Sequence, residues 1–310
     1  MSDDIMEFPG HPSLRAITSR LMDLWPEHTK YQISRFRPDD AARRDRDEQV
    51  AALALRLIGV NLDRFCLDYR WMCEAFTEEE IYFRRSGSYR LKTFAEANLG
   101  IYSNVSYMSR YVNGILMSQI LWANHAAALD LFRTRYLPSL PDRFEHLEVG
   151  PGHGLFLAFA IANPRCAKAT GWDVSPTSIA ATAQALGKLG ISQRVTLANQ
   201  DILQHPPQHA EFDSAIISEV LEHLEQPAVA LRTLHESLRP GGSIFINVPI
   251  NSPAPDHIFL WTAPDQVIDL ITKTGFEVAE KHLLPMTGYR IEDALKWRLS
   301  VSCVIVARKP

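Results

Sequence analysis

Two periodicities divide the chain. In EQVAALALRLIGVNLDRFCLDYRWMCEAF (48–76) and NVSYMSRYVNGILMSQILWANHAAALDLF (104–132), apolar residues recur every three or four positions. That spacing puts them on one face of a helix, so both stretches are expected to be helical. After PSLPD (Pro138 to Asp142) the period changes. Short apolar runs, FEHLEV, AKATGWD, RVTLAN, FDSAIIS and GGSIFINVP, alternate with helical segments such as PTSIAATAQALGKLG. Strand–helix alternation predicts a parallel sheet covered on both faces. Two closing runs, GFEVAEKHLL and SVSCVIVARK, read as strands joined through a segment containing MTGYRIEDALKWR, and fit a last pair that runs antiparallel. The fold class expected is α/β: an all-helical cap over residues 1–140, then a Rossmann-like sheet over 141–310.

Composition narrows the function classes. At 310 residues the chain can hold two compact domains, and 46% hydrophobic with 22% charged residues is an ordinary globular balance. The net charge of -4 argues against a dedicated duplex nucleic-acid binder, which carries a basic excess. Cys66, Cys73, Cys166 and Cys303 form no CxxC pair and no zinc-knuckle spacing, as expected of buried thiols in a reducing compartment. MSDDIMEFPG has neither a basic n-region nor an apolar core, so no secretory leader is expected. No apolar run reaches the roughly 18 residues that suggest a membrane span. A cytoplasmic enzyme without a membrane partner is the expectation. The charge run RPDDAARRDRDE reads as a solvated face.

The chemistry gathers in the second half. HLEVGPGHG runs an apolar strand into Gly150, Gly152 and Gly154 before a helix. Glycines there let the backbone approach a ligand, and the helix N-terminus offers free N–H groups. Glu148, an acid at the strand end, repels a pyrophosphate and suits an ammonium group. Asp173 ends the second strand 25 residues on, where a doubly wound fold puts an acid onto ribose hydroxyls. Asp201 follows the third, placed to accept from an adenine amino group.

With EVGPGHG, GWDVS, NQDI, SEVLEHL, LRPGGSIFINVP and the closing GFEVAE, residues 144 to 308 resemble the class I S-adenosylmethionine-dependent methyltransferases. The resemblance implies a seven-stranded sheet with a reversed final strand. It implies that Glu148 and the glycine loop hold the methionine part of S-adenosylmethionine. Asp173 then takes the ribose, Asp201 and Ile202 flank the adenine, and Val174 packs on its other face. Ser218 and Glu219 fall at the tip of the fourth strand, beside the reactive methyl.

Glu219, Glu222 and His223 stand at i, i+3 and i+4. On a helical turn that spacing projects all three to one side, and two carboxylates with an imidazole can hold a divalent cation. His257, in DHIFLWT after the fifth strand, is the fourth candidate. ExxEH with a later DHxFxWT resembles the metal-dependent 2′-O-methyltransferases of small-RNA 3′ ends and, more loosely, the ubiquinone-pathway O-methyltransferases. By that likeness Glu219, Glu222, His223 and His257 hold a Mg, Mn, Zn or Fe ion. A metal-free polar pocket stays open beside this. His223 or His257 is then the general base, with Glu219 at the reacting end.

The helical half is expected to cover the acceptor side. Tyr107, Tyr111, Trp122 and His125 are candidate substrate contacts on its inner face; the same residues also suit core packing or a homo-oligomer interface. The function expected is methyl transfer to a small molecule of specialised or cofactor metabolism, with metal-assisted O-methylation or metal-free C- or N-methylation both open. An RNA ribose methyltransferase, a nicotinamide dehydrogenase and a non-catalytic cofactor-binding scaffold are the rivals. The helical half lacks arginine-rich or stacked-aromatic RNA-binding patterns, which speaks against nucleic acid as partner.

Overall fold

The computed structural model describes residues 8–37, 40–204 and 210–310. Most of the opening segment read for a leader, and Pro38 and Asp39 of the charge run, lie outside them.

The helical half contains α1 (Pro12–Leu24), α2 (Thr29–Phe36), α3 (Ala41–Ile58), α4 (Leu62–Ser86), α5 (Phe94–Ala97), α6 (Val105–Leu121), α7 (Ala123–Leu131) and the short turn α8 (Leu137–Ser139). Each of the two long helical stretches is broken once. Gly59, at φ 63°, ends α3 and donates its N–H to Leu55 O at 2.8 Å, a helix stop that favours glycine. Trp122 adopts extended backbone between α6 and α7 and turns the chain without a glycine. The charge run is not wholly solvated: Asp47 on α3 is buried and accepts from the buried Arg35 guanidinium at 2.8 Å.

The second half is β1 (Phe144–Val149), α9 (Leu155–Ala162), β2 (Cys166–Asp173), α10 (Pro176–Leu189), β3 (Val195–Asn199), β4 (Phe212–Ser218), α11 (Pro227–Ser237), β5 (Leu238–Ile250), α12 (Pro264–Lys273), β6 (Glu277–Pro285), α13 (Ile291–Lys296) and β7 (Val301–Arg308). The seven strands lie in the order β3-β2-β1-β4-β5-β7-β6. β1 to β5 pair in parallel, and β7 inserts antiparallel between β5 and β6. The seven-stranded sheet with a reversed last strand is the one expected. Chain order reverses between β1 and β4, which opens a crevice at the carboxyl ends of these strands.

Each face of the sheet buries its own core. One is closed by α11, α12 and α13, through Leu231, Leu234, Val267, Ile271 and Ala294. The other is continuous with the helical half: Leu14, Met117 and Phe132 share a cluster with Phe156, Phe245 and Val304. Tyr136 reaches from the helical half into the sheet, its hydroxyl 2.9 Å from Ala215 O on β4 and 2.8 Å from Ser243 O on β5. Asn124 donates to Ser302 Oγ of β7 at 3.0 Å. Among the described residues no helix is long and apolar enough to cross a membrane.

Candidate active site

A cavity of about 410 Å³ lies at the β1/β4 crevice, with the glycine loop at one end and α6 and α7 at the other. Its volume is in the range of small-molecule sites. At the loop, Gly150, Gly152 and Gly154 all have positive φ, of 73°, 48° and 75°. A Cβ on Gly150 would stand 2.5 Å from Val220 Cγ2, so this glycine is needed for space as well as conformation. Thr182 of α10 ties the loop down, donating to Gly152 O at 2.9 Å.

Glu148, the penultimate residue of β1, is almost fully buried, and its Oε2 has no hydrogen-bond partner. Burial, with the charge of Asp173 added, pushes its carboxyl up to about 8. Asp173, at the tip of β2, accepts from Ser175 N at 2.8 Å. Burial raises it to about 6, against the pull of the Ser175 and Gly152 N–H groups. Both carboxylates line the cavity, as do Val174, Asp201, buried Ile202 and Ser218. The Asp201 carboxylate is already engaged by its own turn, accepting from Leu203 N at 2.9 Å and Gln204 Nε2 at 2.7 Å.

The Glu219–His223 segment departs from a regular helical turn. Glu219 has φ 53°, outside helical geometry, and only Leu221–His223 forms a 3₁₀ turn. The i, i+3, i+4 face therefore does not form. Glu219 turns to β5, where its Oε1 accepts from Asn247 Nδ2 at 2.9 Å; the same amide donates to Ser218 Oγ at 3.1 Å. Burial raises the Glu219 carboxyl to about 8, although Asn247 favours its charged form.

Glu222 goes the other way, into the protein. It is fully buried, and neither carboxylate oxygen has a hydrogen-bond partner. Burial, then the charges of Glu219 and Asp256, raise it well above the carboxylate range. His223 Nε2 stands 3.5 Å and His257 Nε2 3.8 Å from Glu222 Oε1. Ligand atoms of Glu222, His223 and His257 all lie within 4.8 Å of one another. So three of the four residues proposed as metal ligands converge, and Glu219 stays on Asn247.

Both imidazoles are set to offer Nε2. His257 Nδ1 lies 2.6 Å from Ser252 O, and His223 Nδ1 lies 3.1 Å from Asp256 O. A carbonyl only accepts, so each Nδ1 carries a proton, and the neutral form of each ring offers its lone pair at Nε2. Burial, with His223 alongside, lowers His257 to about 4 and keeps it neutral at pH 7. Two imidazoles that present Nε2 and a buried, unpaired carboxylate are a donor set suited to a divalent cation.

From the helical half, Tyr111, Trp122 and His125 line the cavity. The Trp122 indole donates to Tyr69 Oη at 2.8 Å. Ser118 Oγ gives its proton to Ile115 O at 2.8 Å, so it accepts from His125 Nδ1 at 2.9 Å. Burial lowers His125 to about 3. Tyr107 is not among the cavity-lining residues; its ring packs edge-on against Trp71 at 4.8 Å. Tyr102 and Gln119, read with the amphipathic side chains of the same helical stretch, also line the cavity, whereas sequence reasoning passed over His153 and Asp256, both lining residues. His153 sits inside the glycine loop and Asp256 directly before His257, so both positions were open to being flagged.

A parallel sheet of this order, its reversed seventh strand and its glycine loop after β1 define a Rossmann-like methyltransferase fold. Residues 147–244, from β1 into β5, match the family model described as a methyltransferase domain. An O-methyltransferase of Pyrenophora dematioidea is 29% identical over 174 residues, covering 50% of this chain and 65% of that protein. The ubiquinone biosynthesis O-methyltransferase of Pseudomonas paraeruginosa is 30% identical over 129 residues, covering 41% and 53%. The chain thus spans between half and two thirds of these relatives' lengths. Among solved structures, the cyclase SpnF superposes with a TM-score of 0.50 at 20% identity, over 60% of this chain and 81% of its own, a likeness of fold.

Proposed function

We propose that the protein is an S-adenosylmethionine-dependent methyltransferase acting on a hydroxyl oxygen of a small molecule, assisted by a divalent cation. The observation that carries this reading is a single cavity joining the glycine loop, Glu148 and Asp173 to the Glu222–His223–His257 cluster and the aromatic wall of the helical half. The similarity to two O-methyltransferases supports oxygen as the accepting atom.

The residues suit both groups. Glu148, with its unpartnered Oε2, would receive the cofactor's ammonium, and Asp173 its ribose. Ile202 and Val174 would hold the adenine. S-adenosylmethionine brings an already activated methyl group, so the chain's work is to align the acceptor and exclude water. Glu222, His223 and His257 would hold a Mg, Mn, Zn or Fe ion, whose Lewis acidity lowers the pKa of a hydroxyl. In that arrangement Glu219, held by Asn247 at the tip of β4, would stay outside the ion's ligands and on the methyl side of the cofactor. Tyr111, Trp122 and His125 shape the acceptor end.

Calorimetric titration with S-adenosylhomocysteine tests the cofactor half of the reading: one site per chain is expected, and no heat with either nucleoside defeats it. Dialysis against EDTA tests the metal half. Methyl transfer should fall and return with added cation; undiminished transfer in chelator leaves a metal-free methyltransferase.

A further inference from the structure

The two histidines of the cation cluster are held in place by residues the helical half itself anchors. Asp256 is almost fully buried and takes two hydrogen bonds from across the cavity: Tyr102 Oη donates to Oδ2 and Tyr111 Oη to Oδ1, each at 3.2 Å. Its carbonyl accepts from His223 Nδ1 at 3.1 Å, and its Oδ2 lies 3.6 Å from the same nitrogen. Ser252 repeats the arrangement. Its N–H donates to Tyr89 Oη at 3.1 Å, while its carbonyl accepts from His257 Nδ1 at 2.6 Å. The tyrosine rings also touch the imidazoles: Tyr89 lies edge-on to His257 at 5.7 Å, and Tyr102 is perpendicular to His223 at 6.2 Å.

We propose that Tyr89, Tyr102 and Tyr111 are positioning residues: by gripping Ser252 and Asp256 they aim His257 and His223 Nε2 at Glu222, so the helical half completes the cation site. An imidazole turns about two side-chain bonds, and the partner of its Nδ1–H helps fix which way Nε2 faces. That partner lies, for both rings, in the loop 251–262, which has no helix or strand of its own. Loop carbonyls are as fixed as the groups that hold the loop. Here three phenol hydroxyls from outside the sheet grip it, beside Ser300 Oγ, which donates to Ser252 Oγ at 2.9 Å, and the Ile258 and Phe259 N–H groups, which donate to Glu222 O at 3.0 and 2.9 Å.

The inference rests on the metal reading above for one readout and is independent of it for another. The full chain, freed of metal, is titrated with cobalt(II) chloride by calorimetry and visible absorption. The native protein, Tyr102→Phe/Tyr111→Phe and Tyr89→Phe are compared. Phenylalanine keeps the ring packing and removes only the hydroxyl. Loss of an outer-shell partner weakens metal binding roughly 10- to 100-fold, and a loss of that size is expected in both variants, with S-adenosylhomocysteine affinity unchanged. Cobalt binding that is unaltered or tighter in both overturns the proposal.

Should the native chain take up no cobalt, the metal reading fails, and imidazole ¹⁵N shifts of the metal-free protein decide this one. Native His223 and His257 should each show a single Nδ1–H tautomer. His223 should average in Tyr102→Phe/Tyr111→Phe and His257 in Tyr89→Phe. Native-like spectra in both variants overturn the positioning role. If the double variant does not fold, Tyr89→Phe and the single Tyr102→Phe carry the same comparisons.

Discussion

Glu148 is mostly protonated at pH 7, because burial and Asp173 both oppose its ionisation. An ammonium ligand needs the carboxylate, so its binding must expel the proton. S-adenosylhomocysteine binding at pH 7 should release a fraction of a proton, read by calorimetry in buffers of different ionisation enthalpy. Glu148→Gln should remove that release and weaken binding. Asp173→Ala should cost about 1.5–3 kcal/mol for each ribose hydroxyl it holds, the worth of a hydrogen bond to a charged group; near-native affinity would contradict the ribose assignment. These strand-tip acids were legible in the sequence, each standing at the end of its own apolar run. The exclusion of Glu219 from the Glu222–His223–His257 cluster was not, because it follows from one backbone angle that its neighbours' identities do not declare.

The glycine loop binds β1, α9 and the turn after β4 into one unit. Gly150→Ala meets two obstacles, a positive φ costing roughly 1–2 kcal/mol and the Val220 methyl. Thermal melts should therefore show lower stability and calorimetry weaker cofactor binding. Gly150→Ala/Val220→Ala should recover the steric share and not the conformational one. The loop was readable because strand, glycines and helix are contiguous. The breaks at Gly59 and Trp122 were harder to read. Gly59 carries a recognisable stop signal within an otherwise unbroken helical period, whereas nothing local to Trp122 marks an end. Its extended backbone accompanies long-range contacts with Tyr69 and, through Ala123 N, with Thr287 Oγ1 at 2.9 Å.

At the scale of the molecule, the helical half and the sheet share a core. Residues 141–310 alone would expose Phe156, Phe245 and Val304, so that fragment should aggregate or show a non-cooperative melt rather than persist as an open enzyme. The buried acids also set a pH dependence. Glu148 and Glu219 hold protons up to about 8 in the folded chain, whereas unfolded glutamate gives them up near 4.5. Above about pH 7, unfolded histidine (pKa roughly 6.5) no longer takes the protons that buried His125 and His257 refuse. From there up to about 8 the native state therefore binds more protons than the unfolded one. Stability should fall with rising pH by about 1.4 kcal/mol per pH unit for each proton. Melting temperatures of the ligand-free chain should show the decline, and Glu148→Gln should flatten it. What the sequence determined alone is whatever a few consecutive residues encode: the strand–helix alternation, the glycine loop and the acids at strand ends. Tertiary structure decided which carboxylate joins the two histidines and what holds them there. Tyr102 and Asp256 lie 154 positions apart, and no local period records a contact that exists only once the sheet and the helices have packed.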